Sequence, residues 1–308
     1  MPLIECPVSP LVPKLKGVHL FGFDPAPCSQ RVGFALAEKG LLRERAVSFM
    51  NDSPRNLQTT KDKYIFRNVS LIKHDNLTEA WSKIQPNMVV PALVHDGHLY
   101  IESMDIIAYL DQTWPKNPLR PTDEGAARLC DELVQQGKEL HLSIRHITFH
   151  WSLGAIGKIN AATQATLNRL QADGSPDQLA EFYAKFSQDD IDKNEFIRHL
   201  HLLESGFAAQ EARLHEDGRQ FLTGNTFSTA DIIWAIKMLR LSECGYPLAE
   251  NFPLLSAWYN RIQQRPAFRQ GVVGRYRFFH HAIRFKAGIE NLFGKGIRSS
   301  MRAGAEDE

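Results

Sequence analysis

Cysteine is scarce in this chain of 308 residues: only Cys6, Cys28, Cys130 and Cys244 occur, too few and too scattered for a disulfide scaffold. No CxxC pair is present, which argues equally against a thiolate zinc site, and a reducing, cytoplasmic compartment is the expectation. No uncharged apolar run approaches the ~18 residues that a membrane span needs. Charge of one sign is not in excess either. Thirty-six Lys and Arg face 35 Asp and Glu, a formal net charge of +1, so no nucleic-acid partner is expected. Residues 1–16 carry four prolines and Glu5 without a basic region ahead of an apolar core, so no secretory leader is expected. What remains is an ordinary soluble composition, 43% hydrophobic and 23% charged, able to bury one large core or two modest ones.

Periodicity divides the chain. Residues 17–23 (GVHLFGF) read as a buried strand, stopped by the two prolines of 24–27. Val32, Ala35 and Leu36 then fall at helical spacing before Lys39-Gly40, and 44–50 reads as a second strand, predicting a βαβ unit with a parallel pair. Residues 51–80 are polar and poorly periodic, hence a loop with one short helix. The pair Asp96-Gly97 between 91–95 and 98–101 predicts a hairpin, and 103–113 a helix with Ile106, Ile107 and Leu110 inward. Beyond a proline-rich linker at 115–121 the pattern is helical over 124–150, 178–186, 190–214, 228–241 and 253–265, with Ser228-Thr-Ala-Asp231 as a capping box. The fold class expected is α/β plus all-α. It comprises an extension (1–16), a βαβ–ββα domain (17–114), the linker, a helical domain (122–274) and a basic amphipathic extension (275–308).

Three motifs stand out. Val90-Pro91 enters the first hairpin strand, Glu102-Ser103 opens the helix after the hairpin, and Ala26-Pro-Cys-Ser-Gln-Arg-Val32 joins first strand to first helix. A helix N-terminus offers free amides and positive potential to a carboxylate, although Ser103 there can equally be a plain cap. In combination, over roughly 17–270, these motifs resemble the cytosolic glutathione S-transferase superfamily. The resemblance implies a thioredoxin-like N-terminal domain, glutathione as co-substrate, and a homo- or heterodimer with another such subunit. It also implies a cis Val90–Pro91 bond that turns the Val90 backbone to the cysteinyl part of glutathione. Ser103 would donate to the γ-glutamyl carboxylate and Glu102 accept from the ammonium. Lys73 and His74, ahead of Trp81, are the candidates for the glycyl carboxylate, or else solvated loop residues. The chain departs from the family where Met88 replaces a glycine in Gln85-Pro-Asn-Met-Val-Val-Pro91, and where the loop at 51–80 is long.

Glutathione reacts as its thiolate, which a hydroxyl or thiol at a helix N-terminus can hold. The tyrosine of tyrosine-type members is missing, with only Phe21 and Phe23 nearby, which leaves Cys28 and Ser29. They point to different relatives. Bacterial β-aryl etherases of lignin catabolism look similar at Ser29, at Glu38-Lys-Gly-Leu41 and along Val90 to Gly97. Glutathione-dependent reductive dehalogenases of chlorinated hydroquinones resemble the chain at Cys28-Ser29 and at Ala230-Asp-x-x-Trp234. The eukaryotic ganglioside-induced differentiation-associated protein is similar at the Ser-Gln-basic-Val step. Omega- and zeta-like members place their catalytic residue at Ala26, where alanine cannot do that work.

His146 and His150 form an i,i+4 pair, but no acidic residue stands at the needed spacing and Ile147, Phe149 and Trp151 are neighbours, so no metal is expected. His146, His150 and Trp151 are instead expected to line an aromatic acceptor pocket, with helix packing as the alternative. Residues 274–302 mix Phe278, Phe279, Phe285, Leu292 and Phe293 with Arg277, Arg284, Lys286, Lys295 and Arg298, a stretch that can cover the acceptor site, meet a partner subunit or lie on a membrane surface. The expected reaction is cleavage of a β-aryl ether by glutathione thiolate, releasing a phenol and a glutathione thioether, with Ser29 holding the thiolate. Its enzymatic rival is Cys28-dependent reductive dehalogenation, and its rival of another class is a non-catalytic binding or membrane-adaptor protein.

Overall fold

The computed structural model describes residues 3–171 and 178–303. In chain order its elements are β1 (Leu3–Ile4), β2 (Val18–Gly22), α1 (Pro27–Glu38), β3 (Leu42–Ser48), β4 (Lys63–Asn68), α2 (Glu79–Ser82), β5 (Ala92–His95), β6 (His98–Ile101) and α3 (Ser103–Thr113). There follow α4 (Glu124–Glu139), α5 (His141–Ile147), α6 (Ala161–Leu170), α7 (Leu179–Ser187), α8 (Lys193–Asp217), α9 (Thr229–Glu243), α10 (Leu248–Asn251), α11 (Pro253–Gln264), α12 (Pro266–Phe268), α13 (Arg277–Leu292) and α14 (Ile297–Ala303). They gather into two compact units. Of the described residues, one holds 3–117, 158–171, 178–189 and 270–272, and the other 118–157, 190–269 and 273–303.

The first unit is built on a sheet ordered β1-β6-β5-β2-β4-β3. All five residues of β2 are buried, His19 among them, as in a strand covered on both faces. Pro27 starts α1, where its missing N–H is no loss, and Gly40 follows the helix at φ 78°. The Asp96-Gly97 turn has φ 50° and 82°, the two positive angles of a type I′ hairpin, and Asp96 accepts from the Gly17 amide at 2.7 Å. Lys39, which caps the C-terminus of α1, pairs with Asp111 of α3 and ties the two helices together. Trp81 is fully buried between Phe21 and Phe49, and its Nε1 donates to the Val89 carbonyl at 3.1 Å.

The stretch 51–80 is not merely a loop, because it contributes β4. The first two predicted strands do not pair with each other: β4 lies between them, parallel to both. Its apolar run is only Tyr64-Ile-Phe66, and the next residue, Arg67, is charged yet 0% exposed, which hides the strand from a hydrophobic pattern. The Arg67 guanidinium donates to the carbonyls of Phe49 (3.2 Å), Asn51 (2.7 Å) and Asn56 (2.6 Å) and to His19 Nδ1 (3.2 Å). Burial draws Arg67 down to about 10; burial, then the Arg67 charge, pushes His19 down to about 4.

In the second unit the single helix expected over 124–150 is divided at Leu140 into α4 and α5, followed by a π-helical turn over Thr148–Leu153. No proline or glycine marks Leu140. Trp234 of α9 donates to the Leu133 carbonyl at 3.0 Å, and Gly206 of α8 sits where a Cβ would come within 2.8 Å of Leu140, so α8 passes close to that junction. The capping box of α9 is formed: Asp231 is buried and accepts from the Ser228 amide (2.8 Å), the Leu222 amide (3.0 Å) and Trp258 Nε1 (2.9 Å). Among the described residues no helix is long and apolar enough to cross a membrane.

Candidate functional site

Sheet register gathers the three motifs. Ala92, the first residue of β5, lies opposite both Phe21 near the end of β2 and Ile101 at the end of β6. Val90–Pro91, the first turn of α1 and the start of α3 therefore emerge at one end of the sheet, where an α/β fold presents its ligand crevice. Asn87 Nδ2 donates to Glu102 at 3.4 Å, tying the approach to Pro91 to the α3 N-terminus.

The Val90–Pro91 bond is cis, and among the described residues no hydrogen bond engages the Val90 amide or carbonyl. Such an orphaned backbone pair suits the peptide-like middle of glutathione. Glu102 takes φ 64° directly before α3, and buried Ser103 supplies its first turn. Met88 keeps the left-handed conformation, φ 57°, that the family's glycine favours, with its side chain fully buried and its carbonyl accepting from Asn76 Nδ2 at 3.0 Å. Gln85 was missed in the sequence. It is 0% exposed, accepts from the Asn87 amide at 2.9 Å, and leaves a buried Nε2 without a partner. Lys73 is exposed, while His74 is half-buried at φ 57° with an unpartnered Nδ1, and burial lowers its pKa, so it offers a neutral imidazole rather than a cation.

Cys28 and Ser29 sit side by side in the first turn of α1 but in different surroundings. Ser29 is 3% exposed, and its hydroxyl accepts from the Phe23 amide at 3.1 Å, in space left by Gly22, whose Cβ would lie 2.7 Å from Ser29 Oγ. Cys28 is half-buried, and Arg31 Nη1 donates to its sulfur at 3.7 Å. Arg31 is buried, and its Nε and Nη2 have no partner. Nothing in the sequence separates this arginine from a solvated helix residue. Ala26 caps α1 with no side-chain bond.

In the second unit His146, His150 and Trp151 come together with two residues of α8 that the sequence did not suggest, Phe196 and His199. His146 stacks on His199 with centroids 3.9 Å apart, His150 on Phe196 at 4.1 Å, and Trp151 meets Phe196 edge-on at 6.3 Å. An acidic partner is present after all, since Glu195 of α8 lies 3.3 Å from His146 Nε2. His146, Glu195 and His199 bring one ligand atom each within 4.8 Å of one another. His146 is also engaged with the Leu142 carbonyl at 2.9 Å, and Ser143 with His199 Nδ1 at 3.0 Å. Burial pushes both histidines down, His199 to about 4 with help from His146, so both are neutral at pH 7. The cluster is an aromatic wall of neutral imidazoles. A separate cavity of about 750 Å³ between α11 and α13 is lined in part by Tyr246, Tyr259, Arg284, Asn291 and Arg298 and holds none of Cys28, Ser29, Val90, Glu102, Ser103 or His146.

Comparison with known proteins accords with this geometry. The profile for the glutathione S-transferase N-terminal domain matches residues 26–113, and that for the C-terminal domain matches 180–266. Maleylacetoacetate isomerase of Dictyostelium discoideum is 25% identical over 215 residues, 69% of this chain and 74% of that protein. Glutathione S-transferase 1 of Dianthus caryophyllus is 26% identical over 255 residues, covering 82% and 90%. Among solved structures, the β-etherase LigF from Sphingobium sp. strain SYK-6 superimposes with a TM-score of 0.67 at 22% identity, covering 82% of this chain and 97% of that one. The sheet region within 26–113 is thus the thioredoxin-like N-terminal domain, 180–266 belongs to the helical C-terminal domain that accompanies it, and the chain belongs to the cytosolic glutathione S-transferase superfamily, whose co-substrate is glutathione.

Proposed function

We propose that the protein is a β-aryl etherase, in which glutathione thiolate attacks the ether-bearing carbon of a lignin-type aromatic. A C–S bond forms as the C–O bond breaks, and the phenoxide leaves with the bonding pair and takes a proton from solvent, so no oxidant or reductant is needed. Val90, Ser103 and Glu102 hold the tripeptide, with His74 and Lys73 toward its glycyl end. The observation that carries the reading is the Ser29 hydroxyl. Because it accepts from the Phe23 amide, its own proton remains to be donated, and donation to a thiolate at a helix N-terminus favours the charged form. The neutral wall of His146, His150 and Trp151 suits a phenolic ring, and the similarity to LigF supports the choice of acceptor. Ala26 disfavours the isomerase chemistry named for the Dictyostelium relative. The test is glutathione-dependent release of a phenol from a guaiacyl β-aryl ether, lost in Ser29→Ala.

A second reading is favoured by the more open Cys28 beside Arg31. There the Cys28 thiolate attacks the sulfur of an aryl–glutathione conjugate, an S–S bond forms, the aryl carbon takes a proton, and a second glutathione resolves the mixed disulfide to glutathione disulfide. Cys28→Ser abolishes that reaction and spares ether cleavage.

A further inference from the structure

Helix α13 turns its apolar side outward. Phe278 is 89% exposed, Phe285 73%, Leu292 85% and the following Phe293 75%, with Ile289 at 40%. At 3.6 residues per turn, Phe278, Phe285, Ile289 and Leu292 fall within an arc of about 60°. Ile283 and Ala287, the buried residues of the helix, lie on the opposite side. The flanks of the exposed stripe are basic, with Arg277 and Arg284 on one side and Lys286 on the other, all exposed. Six basic residues occupy 275–298 against the single Glu290, a local excess of five positive charges in a chain whose net charge is +1. Glu290 is already taken by Lys286 at 2.9 Å, and Arg298 by Glu250 at 3.1 Å. Arg275, Arg277, Arg284 and Lys295 make no ion pair among the described residues.

We propose that this face of α13 docks the protein on an anionic lipid bilayer, the helix lying in the interface with its phenylalanines and leucine among the acyl chains and its arginines among the headgroups. An apolar stripe bordered by basic residues is the pattern of an interfacial helix, and an exposed patch of several large apolar side chains calls for a cover. Charge chooses the cover. Pairing the stripe with a second copy brings the unpaired arginines of both helices together while Glu290 of each is already held by Lys286, whereas an anionic leaflet neutralises them. The helix is too polar to span, so the contact is peripheral and reversible.

The test is cosedimentation of the full-length chain with vesicles of phosphatidylcholine alone and of phosphatidylcholine with phosphatidylglycerol. Binding is expected to the anionic vesicles, to weaken steeply with salt, and to be at least tenfold weaker on neutral ones. Arg277→Gln with Arg284→Gln is expected to lower it about thirtyfold, at roughly fivefold per basic residue. The triple variant Phe278→Ser, Phe285→Ser, Leu292→Ser is expected to abolish it, with glutathione affinity and thermal unfolding unchanged because these side chains touch solvent. No binding to anionic vesicles, or binding that the triple variant retains, overturns the proposal. So does a dimer that the triple variant converts to monomer in the absence of vesicle binding, which assigns the stripe to a second copy.

Discussion

Ser29 ties the first turn of α1 to the end of β2, its buried hydroxyl accepting a hydrogen bond from the Phe23 amide at 3.1 Å. Ser29→Ala therefore strands that amide and costs about 1–2 kcal/mol of stability. On the etherase reading it also lowers kcat about 100-fold, the usual effect of removing one donor to a reacting anion, with little change in KM for glutathione. Denaturant melts beside steady-state kinetics check both, and an equal rise in KM with constant kcat contradicts the assigned role.

Gly22 makes that bond sterically possible. A methyl group there would stand 2.7 Å from Ser29 Oγ and 3.3 Å from Phe66, so Gly22→Ala is expected to displace the serine and depress turnover much as Ser29→Ala does. The double variant should be no worse than the worse single one, because both act on one contact.

Arg67 organises the long segment after β3 through three carbonyls, with the charge of Asp52 favouring its cation but desolvation the larger effect. Arg67→Met leaves those acceptors buried and unpaired and is expected to cost about 3–5 kcal/mol, with Arg67→Lys between it and the wild type. Chemical denaturation measures this directly.

His19, fully buried and held at about 4 by burial and by Arg67, gives stability a definite pH dependence. The unfolded histidine titrates near 6.5, so below that pH the unfolded state binds the extra proton and stability falls until the folded group protonates near 4. The loss over this window is on the order of 3 kcal/mol. Unfolding free energies at pH 7.5, 6 and 5 should fall in the wild type and fall less in His19→Gln.

Legibility followed locality. The Asp96-Gly97 turn, the Ser228–Asp231 box and the helix opening at Ser103 are written in two to four adjacent residues, and each stands where its chemistry predicts. Strand β4 was hidden because its charged Arg67 is solvated by carbonyls from elsewhere in the chain, which no periodicity encodes. Glu195 and His199 escaped for the same reason, meeting His146 only once α8 packs on α5. Exposure was equally unreadable. The sequence marks Ser29 and Cys28 as neighbours, and only the fold buries one beneath Phe23 and leaves the other half-open beside Arg31.

The most direct measurement incubates the purified protein with glutathione and a guaiacyl β-aryl ether and quantifies phenol, thioether and glutathione disulfide by mass spectrometry. Ether cleavage by the thiolate predicts phenol and thioether in a one-to-one ratio, no disulfide, and full activity in Cys28→Ser. No phenol release despite glutathione binding, with disulfide formed from an aryl–glutathione conjugate and lost in Cys28→Ser, would contradict it.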